Sequence, residues 1–301
     1  MWRRLWGNNI ANRVTLNFQP VLVREMAARM LSWASLSALG VGFLLVQCIL
    51  MIWRVLMTRS KYRRLLFVLL IISFFMLACA PSTRIKSSAY DVDITTYLYK
   101  PSGDGRFPAV IFLHTIAGMQ PHVLDFATAL SRKGYVTLAV DYFSGRGKLP
   151  LNRLGYGQHI QDAYDYLKTL PMVDPERIGM VGFSLGPRKA LEFAGYSNRP
   201  IRGIVSYYVG GLYFVRPGLH EYPPLLFLHG ELDQETDPEM VRSFCAEQER
   251  IQKVCEFHIY KGVRHAFTHK SRYGGYDAHT TADAFKRAVT FLDKYVKNRS
   301  E

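Results

Sequence analysis

The sequence predicts an α/β fold for residues 85–301, with a mostly parallel sheet, helices on both of its faces and hydrophobic segments ahead of it. Short apolar runs alternate along this region with longer amphipathic stretches, which is typical of β-α-β units. Several runs are apolar at every position, as expected for strands that are buried on both faces. The composition of the chain, 49% hydrophobic and 21% charged, excludes a disordered protein and a membrane protein of many spans.

The predicted elements can be placed in chain order. An alternating run at residues 91–99 predicts an edge strand. Continuous apolar runs predict buried strands at 109–114, 135–142, 177–183, 203–209, 224–228 and 257–260. Helical periodicity predicts helices at 154–170, 185–194, 238–250 and 282–296. Each helix follows a strand, so the crossovers that a parallel sheet requires are present.

The positive charge of the chain is concentrated ahead of this region. The formal net charge is +14, and residues 1–84 carry 11 of the 38 Lys and Arg but only one of the 24 acidic residues, Glu25. Basic residues that flank apolar runs are membrane topology signals, whereas nucleic-acid binding needs a basic face on the folded domain. We therefore expect residues 1–84 to target a membrane, and we expect no nucleic-acid partner.

Two apolar runs lie within residues 1–84. Residues 30–53 contain no charge and are long enough to span a bilayer, whereas residues 65–78 are too short for a comfortable span. The second run follows a basic stretch and ends in Ala78-Cys79, which is the layout of a secretory signal. With the cysteine in that place, the segment resembles the lipobox of bacterial lipoproteins. This resemblance implies that Cys79 is lipidated and becomes the first mature residue.

The sequence leaves two topologies open. Met57 stands shortly before the second run, ahead of its basic residues, so translation from Met57 would give a complete lipoprotein signal, with residues 1–56 as an upstream extension. A start at Met1 would instead give a two-span hairpin with the basic residues of 54–64 in the cytoplasm. Both topologies place the folded domain outside the cytoplasm, in the periplasm or at the surface of a bacterium.

A pentapeptide between a predicted strand and a predicted helix suggests the chemistry. Residues 182–186 read Gly-Phe-Ser-Leu-Gly, a G-x-S-x-G pattern. A sharp strand-to-helix turn of this kind holds its serine in a strained conformation with Oγ exposed. The flanking glycines avoid a collision across the turn, and the helix presents its positive end to the serine. Ser184 is therefore the candidate nucleophile, and a chance match in an ordinary turn is the alternative.

A serine nucleophile needs a base, and the base needs an acid that orients it. In α/β proteins with this elbow, the three residues follow in the order Ser, acid, His, and the later two lie at the ends of later strands. Asp233 follows the strand predicted at 224–228, and His265 follows the strand predicted at 257–260. We therefore predict Asp233 as the acid and His265 as the base.

Other residues compete for these two roles. Glu231 and Asp237 are the rival acids, and the Asp237-Pro238 sequence favours a helix N-cap for Asp237. His258 lies within a predicted strand, and His229 stands at the end of one ahead of the acid, so we expect structural roles for both.

The oxyanion of an acyl transfer needs two N–H donors. The first should be the N–H of Leu185, because it directly follows the nucleophile. The second should come from the loop at residues 114–118, where Ile116 is the candidate and Gly118 gives the loop room to turn. We expect His114 to stabilise this loop instead of taking part in the chemistry.

These motifs and their order resemble those of the dienelactone hydrolase family of α/β-hydrolases. The resemblance extends over residues 94–295. The resemblance rests on the elbow, on Gly230-x-x-Asp233, and on the segments FPAVIFLH at 107–114, GYVTLAVDYF at 134–143, VDPERIG at 173–179 and YKGVRHAF at 260–267. It implies the α/β-hydrolase fold and an enzyme that opens lactones or hydrolyses small carboxylic esters.

The chain departs from this family at several positions. The family's nucleophile is a cysteine, where this chain has Ser184, and Thr115 stands where the family has a glutamate. The family also holds a substrate carboxylate with arginines. His269 occupies the position of one of them, and Arg146 is a neighbour of the other position, Gly145. Arg146 and His269 are thus the candidates for the substrate pocket, and a serine esterase is favoured over a hydrolase of dienelactone itself.

Two cysteines lie in the predicted domain, Cys245 on a helix and Cys255 at the start of the next strand. In an oxidising compartment they would close a short disulfide, and two separate buried thiols are the alternative. The sequence contains no phosphate-binding loop and no metal-ligand spacing, so we expect neither a cofactor nor a metal.

A second function class fits the same fold. A catalytically silent, membrane-anchored binding protein would keep the sheet and lose the chemistry. A complete set of Ser184, Asp233 and His265 in the required order favours the enzyme. The sequence leaves the oligomeric state open.

Overall fold

A computed structural model describes residues 82–145, 154–216, 220–270 and 275–298. The chain divides into two units, Met1–Cys79 and Ala80–Glu301, and the described residues all belong to the second. The apolar runs at 30–53 and 65–78, Met57 and Cys79 lie outside the described residues. No helix within the described ranges is long and apolar enough to cross a membrane.

Eight strands form a single sheet. They are β1 (Ser82–Lys86), β2 (Asp93–Tyr99), β3 (Phe107–Leu113), β4 (Val136–Val140), β5 (Val173–Phe183), β6 (Ile204–Tyr207), β7 (Leu225–Gly230) and β8 (Cys255–Tyr260). Their spatial order is β1-β2-β4-β3-β5-β6-β7-β8. β2 is antiparallel to β1 and β4, and the other neighbouring pairs are parallel. The predicted mostly parallel sheet is confirmed.

Helices connect the strands and cover both faces of the sheet. They are α1 (Pro121–Ser131), α2 (Leu154–Thr169), α3 (Leu185–Tyr196), α4 (Pro238–Arg250) and α5 (Ala278–Leu292). A short 3₁₀ turn at Leu212–Phe214 follows β6, and a π-helical turn at Asp293–Lys297 extends α5.

The continuous apolar runs become strands that are buried on both faces. On β3, Ile111 and Leu113 belong to one apolar layer, which contains residues of α2, α3 and α4. Val110 and Phe112 belong to the opposite layer, which contains residues of α1 and α5. Successive side chains of a strand point to opposite faces, so a strand between two layers needs an apolar residue at every position.

Two elements have no counterpart among the predicted ones. β1 pairs only with β2 and buries only Ile85, so its sequence carries little hydrophobic pattern. It begins at Ser82 and crosses the boundary predicted between residues 84 and 85. Helix α1 begins at Pro121, and its preceding residue, Gln120, makes no side-chain cap. A helix without a side-chain cap lacks a local start signal beyond its proline.

The parallel strands bring the predicted site residues to one edge of the sheet. β3, β5, β6, β7 and β8 all run in the same direction, so the loops that follow them meet at the carboxyl ends. This edge is where open α/β sheets place their binding crevices. Ser184 follows β5, Asp233 follows β7 and His265 follows β8.

Candidate active site

Ser184 occupies the turn between β5 and α3. Its backbone has φ 56° and ψ −101°, a strained conformation for a residue with a side chain. A Cβ at position 182 would lie 2.3 Å from the nitrogen of Pro187, and one at 186 would lie 2.2 Å from the carbonyl oxygen of Leu113. Backbone atoms cannot give way by that much, so both positions require glycine.

A chain of hydrogen bonds links Ser184 to His265 and Asp233. His265 Nε2 lies 3.0 Å from Ser184 Oγ, and His265 Nδ1 lies 2.8 Å from Asp233 Oδ2. A carboxylate accepts hydrogen bonds, so Nδ1 carries the proton and Nδ1–H donates a hydrogen bond to Asp233. Nε2 is then left to accept the hydroxyl proton of Ser184. The imidazole is partly exposed, at 21% of its side-chain surface, and a substrate can therefore approach it.

The carboxylate of Asp233 is buried and held by its own loop. Its Oδ1 accepts the backbone N–H groups of Glu235 at 2.9 Å and Thr236 at 3.3 Å, which leaves Oδ2 for His265. His229 lies 3.5 Å from Oδ2, and its Nε2 donates to the Thr236 carbonyl at 2.8 Å. Burial lowers the pKa of His229, so a neutral imidazole supports this loop.

The structure places the two rival acids elsewhere. Glu231 accepts the backbone N–H of Gly262 at 2.8 Å. Asp237 caps α4 by accepting the N–H of Glu239 at 2.9 Å. Each carboxylate therefore has a structural partner of its own.

The two oxyanion candidates lie in different turns, one after β5 and one after β3. Leu185 is the first residue of α3, directly after Ser184. Ile116 lies in a tight turn that the Gly118 N–H closes by donating to the Thr115 carbonyl at 3.1 Å. The Ala117 N–H donates to Thr115 Oγ1 at 3.1 Å, so Thr115 braces this turn through its side chain.

His114 supports the same turn through its side chain. It is fully buried, and its ring stacks on Tyr142 with the ring centres 3.9 Å apart. Its Nδ1 lies 2.7 Å from the Thr115 carbonyl, and its Nε2 lies 3.2 Å from Asp141 Oδ1. Burial by itself would raise the pKa of Asp141, but the hydrogen bonds with His114 and with the Phe143 N–H, together with the nearby imidazoles, outweigh burial and lower it. His114 thus ties the turn to the end of β4.

The loop after β6 contributes residues that sequence reasoning missed. The Gly210 N–H donates to the Ser184 carbonyl at 2.8 Å, and a Cβ on Gly210 would lie 3.3 Å from Ser184 Oγ. Tyr208 is fully buried, and its ring centre lies 5.2 Å from that of His265. The glycine pair at 210–211 was the available signal for a close approach to the nucleophile.

The two pocket candidates have different outcomes. Arg146 lies outside the described residues. His269 follows the His265 turn, and its Nε2 lies 3.3 Å from Gln120 Oε1. Its ring packs edge-on against His122, with the centres 4.7 Å apart. Burial, with a smaller contribution from His269, lowers the pKa of His122 to about 3.

A disulfide joins Cys245 on α4 to Cys255 at the start of β8. It therefore connects the helix that follows the Asp233 loop to the strand that leads to His265. Within the described ranges, no group of His, Cys, Asp and Glu side chains is arranged to hold a metal ion.

An eight-stranded, mostly parallel sheet with a serine elbow, an aspartate and a histidine at its carboxyl edge defines an α/β-hydrolase. The chain belongs to the dienelactone hydrolase family, whose model matches residues 94–296. The resemblance that the sequence motifs predicted is thereby confirmed, and this membership makes the chain a hydrolase that acts on esters.

Two relatives show how far the likeness extends. A Synechocystis protein whose name describes a carboxymethylenebutenolidase is 26% identical over 246 residues, which cover 72% of this chain and 98% of that protein. A Bradyrhizobium protein whose name describes a 2-oxo-3-(5-oxofuran-2-ylidene)propanoate lactonase is 30% identical over 196 residues. That match covers 57% of this chain and 77% of the lactonase.

Solved structures share the fold at lower identity. A dienelactone hydrolase-like promiscuous phosphotriesterase from metagenomic libraries superposes with a TM-score of 0.63 at 20% identity, covering 72% of this chain and 99% of that one. Esterase 2 of Thermogutta terrifontis, phosphonylated by cyclosarin, superposes with a TM-score of 0.59 at 18% identity. The match covers 72% of this chain and 94% of the esterase chain.

Proposed function

We propose that the chain is a serine hydrolase that cleaves small carboxylic esters or lactones through an acyl-enzyme. The observation that carries this proposal is the hydrogen-bonded chain from Asp233 through His265 to Ser184, with separations of 2.8 and 3.0 Å. These are the distances over which a base can take a proton from its nucleophile. Ser184 also lies at the positive end of α3, which favours negative charge beside it.

In the first half of the reaction, Ser184 Oγ attacks the carbonyl carbon while its proton passes to His265 Nε2. A C–O bond forms, the π pair of the carbonyl moves to oxygen, and the N–H groups of Leu185 and Ile116 stabilise that oxyanion. Asp233 stabilises the imidazolium through Nδ1–H. Collapse breaks the bond to the leaving alcohol, which takes the proton from Nε2 and leaves an acyl group on Ser184.

In the second half, water replaces the alcohol. His265 accepts a proton from the water as the water oxygen bonds to the acyl carbon, and a second oxyanion forms at the same place. Collapse returns the proton to Ser184 Oγ and releases the carboxylic acid. With a lactone, the alcohol and the acid remain parts of one molecule, so ring opening gives a single hydroxy acid.

The proposed substrate class is supported by the family and by the names of two relatives. The relatives named above are described as a butenolidase and a lactonase, and both names denote hydrolysis of a cyclic ester. Gly210 carries no side chain beside Ser184 Oγ, where a Cβ would lie 3.3 Å away, so this position does not crowd the nucleophile. No metal or cofactor enters any step of this mechanism.

The test is hydrolysis of p-nitrophenyl acetate by the full chain and by the Ser184→Ala variant. We expect the loss of the nucleophile to lower kcat by about 10⁴- to 10⁶-fold. Ser206→Ala is the matched control, because Ser206 is a buried serine on β6. A fluorophosphonate probe should label the wild type and fail to label Ser184→Ala. Wild-type protein that is folded but inert to both reagents would identify a silent binding protein instead.

We also propose that residues 1–84 anchor residues 85–301 outside the cytoplasm, through a lipid on Cys79. The support is the arrangement of the apolar runs at 30–53 and 65–78 and the basic residues around them. The Cys245–Cys255 disulfide fits an oxidising compartment. The mass of the mature N-terminal peptide tests the proposal, because lipidated Cys79 is expected at its start. An unmodified chain that begins at Met1 would favour the two-span hairpin.

A further inference from the structure

Tyr208 packs against the base from the segment that follows β6. It is the first residue after β6, and its backbone N–H donates to the Leu228 carbonyl at 2.8 Å. The residue before it, Tyr207, accepts the N–H of Ser184 at 3.1 Å, and two residues after it Gly210 donates to the Ser184 carbonyl. The backbone on both sides of Tyr208 is therefore hydrogen-bonded to the nucleophile itself.

The side chain of Tyr208 points toward the base instead. Its ring lies edge-on to the His265 imidazole, with the centres 5.2 Å apart and the planes at 70°. The same ring contacts Phe267, two residues after the histidine, with the centres 5.0 Å apart. Tyr208 is fully buried, so its ring fills the space beside the imidazole.

The hydroxyl of Tyr208 fixes the other end of the His265 turn. It forms a short hydrogen bond with Thr268 Oγ1, and His122 Nε2 lies 3.5 Å away. Thr268 is buried and lies three residues after His265. Burial lowers the pKa of His122 to about 3, so this neighbour is a neutral imidazole at physiological pH. The polar contacts of the hydroxyl therefore carry no charge that would compete with the Asp233–His265 pair.

Backbone strain is concentrated around the same contacts. Within the described ranges, four residues other than glycine have a positive φ: Ser184, Tyr208, Gln252 and Ala266. Ala266 directly follows the base, with φ 61°, and Tyr208 has φ 38°. A large side chain stays in such a conformation only where its surroundings hold it there. The contacts with His265, Phe267 and Thr268 are among those that hold Tyr208.

We propose that Tyr208 is the positioning residue for His265, and this inference rests on the proposed function. Its ring packs edge-on against the imidazole, and its hydroxyl is hydrogen-bonded to Thr268 at the end of the His265 turn. Together they keep Nε2 directed at Ser184 Oγ while the proton moves in both directions. The imidazole is held from behind by Asp233 at Nδ1 and from the side by Tyr208.

The test compares steady-state kinetics of full-chain variants with a neutral ester. In Tyr208→Phe the ring stays and the bond to Thr268 is lost, and in Thr268→Val the same bond is lost from the other side. Each should lower kcat by roughly 10- to 100-fold with KM within about twofold, because a small misplacement of a catalytic group has effects of this size. The double variant should be no slower than either single one, since both remove one interaction. Thr268→Ser keeps the hydroxyl and should restore kcat.

Two controls separate positioning from stability. Tyr164 is another buried tyrosine, on helix α2, and its hydroxyl donates to the Pro200 carbonyl at 3.0 Å. Tyr164→Phe removes that hydroxyl, and kcat should not change. The low-field proton resonance of the Nδ1–H···Asp233 hydrogen bond should broaden or shift in Tyr208→Phe and stay in place in Tyr164→Phe. If Tyr208→Phe does not fold, the Thr268→Val and Thr268→Ser pair gives the same comparison.

The inference is overturned if kcat stays at the wild-type value in Tyr208→Phe and Thr268→Val. It is also overturned if their effects on kcat multiply in the double variant, or if Thr268→Ser is as slow as Thr268→Val. These outcomes differ from a failure of the proposed function, in which Ser184→Ala itself would keep full activity.

Discussion

The two ends of the parallel strands are built differently. At the amino end, polar side chains satisfy one another: Arg177 donates to Asp174 at 2.7 Å and to the Lys297 carbonyl at 2.9 Å. The hydroxyl of Tyr135 donates to Asp293 there at 2.9 Å. These contacts join the start of the sheet to the turn after α5.

At the carboxyl end, the chain is strained and closely packed. Ser184, Tyr208 and Ala266 all have a positive φ there. Glycines at 182, 186 and 210 let backbone or hydroxyl atoms approach where a Cβ would collide or crowd. Relaxed polar contacts stabilise a fold, whereas strain persists where the surrounding structure maintains an arrangement for another purpose. Under the proposed function, the relaxed contacts at the amino end serve stability and the strained carboxyl end serves the chemistry.

Replacing one aspartate at each end of the strands with asparagine should give the largest difference in kcat. In Asp233→Asn the amide can no longer stabilise an imidazolium, so kcat should fall by about 10³- to 10⁴-fold. In Asp174→Asn the Arg177 contact weakens at the amino end, and kcat should not change. Ester hydrolysis by both variants, with thermal unfolding to verify the fold, measures the contrast. Equal losses of kcat would remove the functional distinction between the two ends.

Removing the disulfide should lower stability without lowering kcat. Cys255 lies at the amino end of β8, and the cross-link closes a separation of 10 residues. The Cys245→Ala/Cys255→Ala variant should lose about 2–3 kcal/mol of unfolding free energy. Urea unfolding measures that loss, and reduced wild-type protein should show the same. A variant with unchanged stability but a low kcat would instead show that the disulfide supports catalysis.

A methyl group at position 210 should have the smallest effect of the three. In Gly210→Ala the new Cβ lies 3.3 Å from Ser184 Oγ, and crowding at the point of attack should lower kcat/KM by roughly tenfold. Gly157→Ala is the control, because it lies on α2 with no heavy atom within 4 Å of the added Cβ. That control should gain about 0.5–1 kcal/mol of stability and keep its activity. Faster hydrolysis in Gly210→Ala would contradict the close approach.

How well an element was predicted depended on how local its signals are. Helix α4 was predicted at 238–250 and is found at Pro238–Arg250, because Asp237 caps it and a proline opens it. The last helix was predicted from residue 282 and begins at Ala278. There Asp277 accepts the Thr280 N–H at 2.6 Å, a capping signal that the hydrophobic period alone does not reveal.

Strand β1 and helix α1 were missed for a different reason. β1 buries one side chain and exists because β2 offers it a partner. α1 follows the turn at Thr115–Gly118 and carries no side-chain cap. Pairing and packing with other parts of the chain decide such elements, so a short window of sequence contains little of the information.

The sequence by itself determined the elbow, the order of its partners and the family, because the sterics of a strand-to-helix turn act within five residues around Ser184. Only the tertiary structure decided which acid faces the base. Glu231, Asp233 and Asp237 lie within seven residues of one another, and a difference of a few ångströms in the folded chain separates a partner of His265 from a cap. The roles of Tyr208 and Gly210 are likewise tertiary, since they depend on distances to side chains remote in the sequence. Hydrogen bonds and packing contacts act only over short distances, so the folded arrangement of these segments decides which of them form.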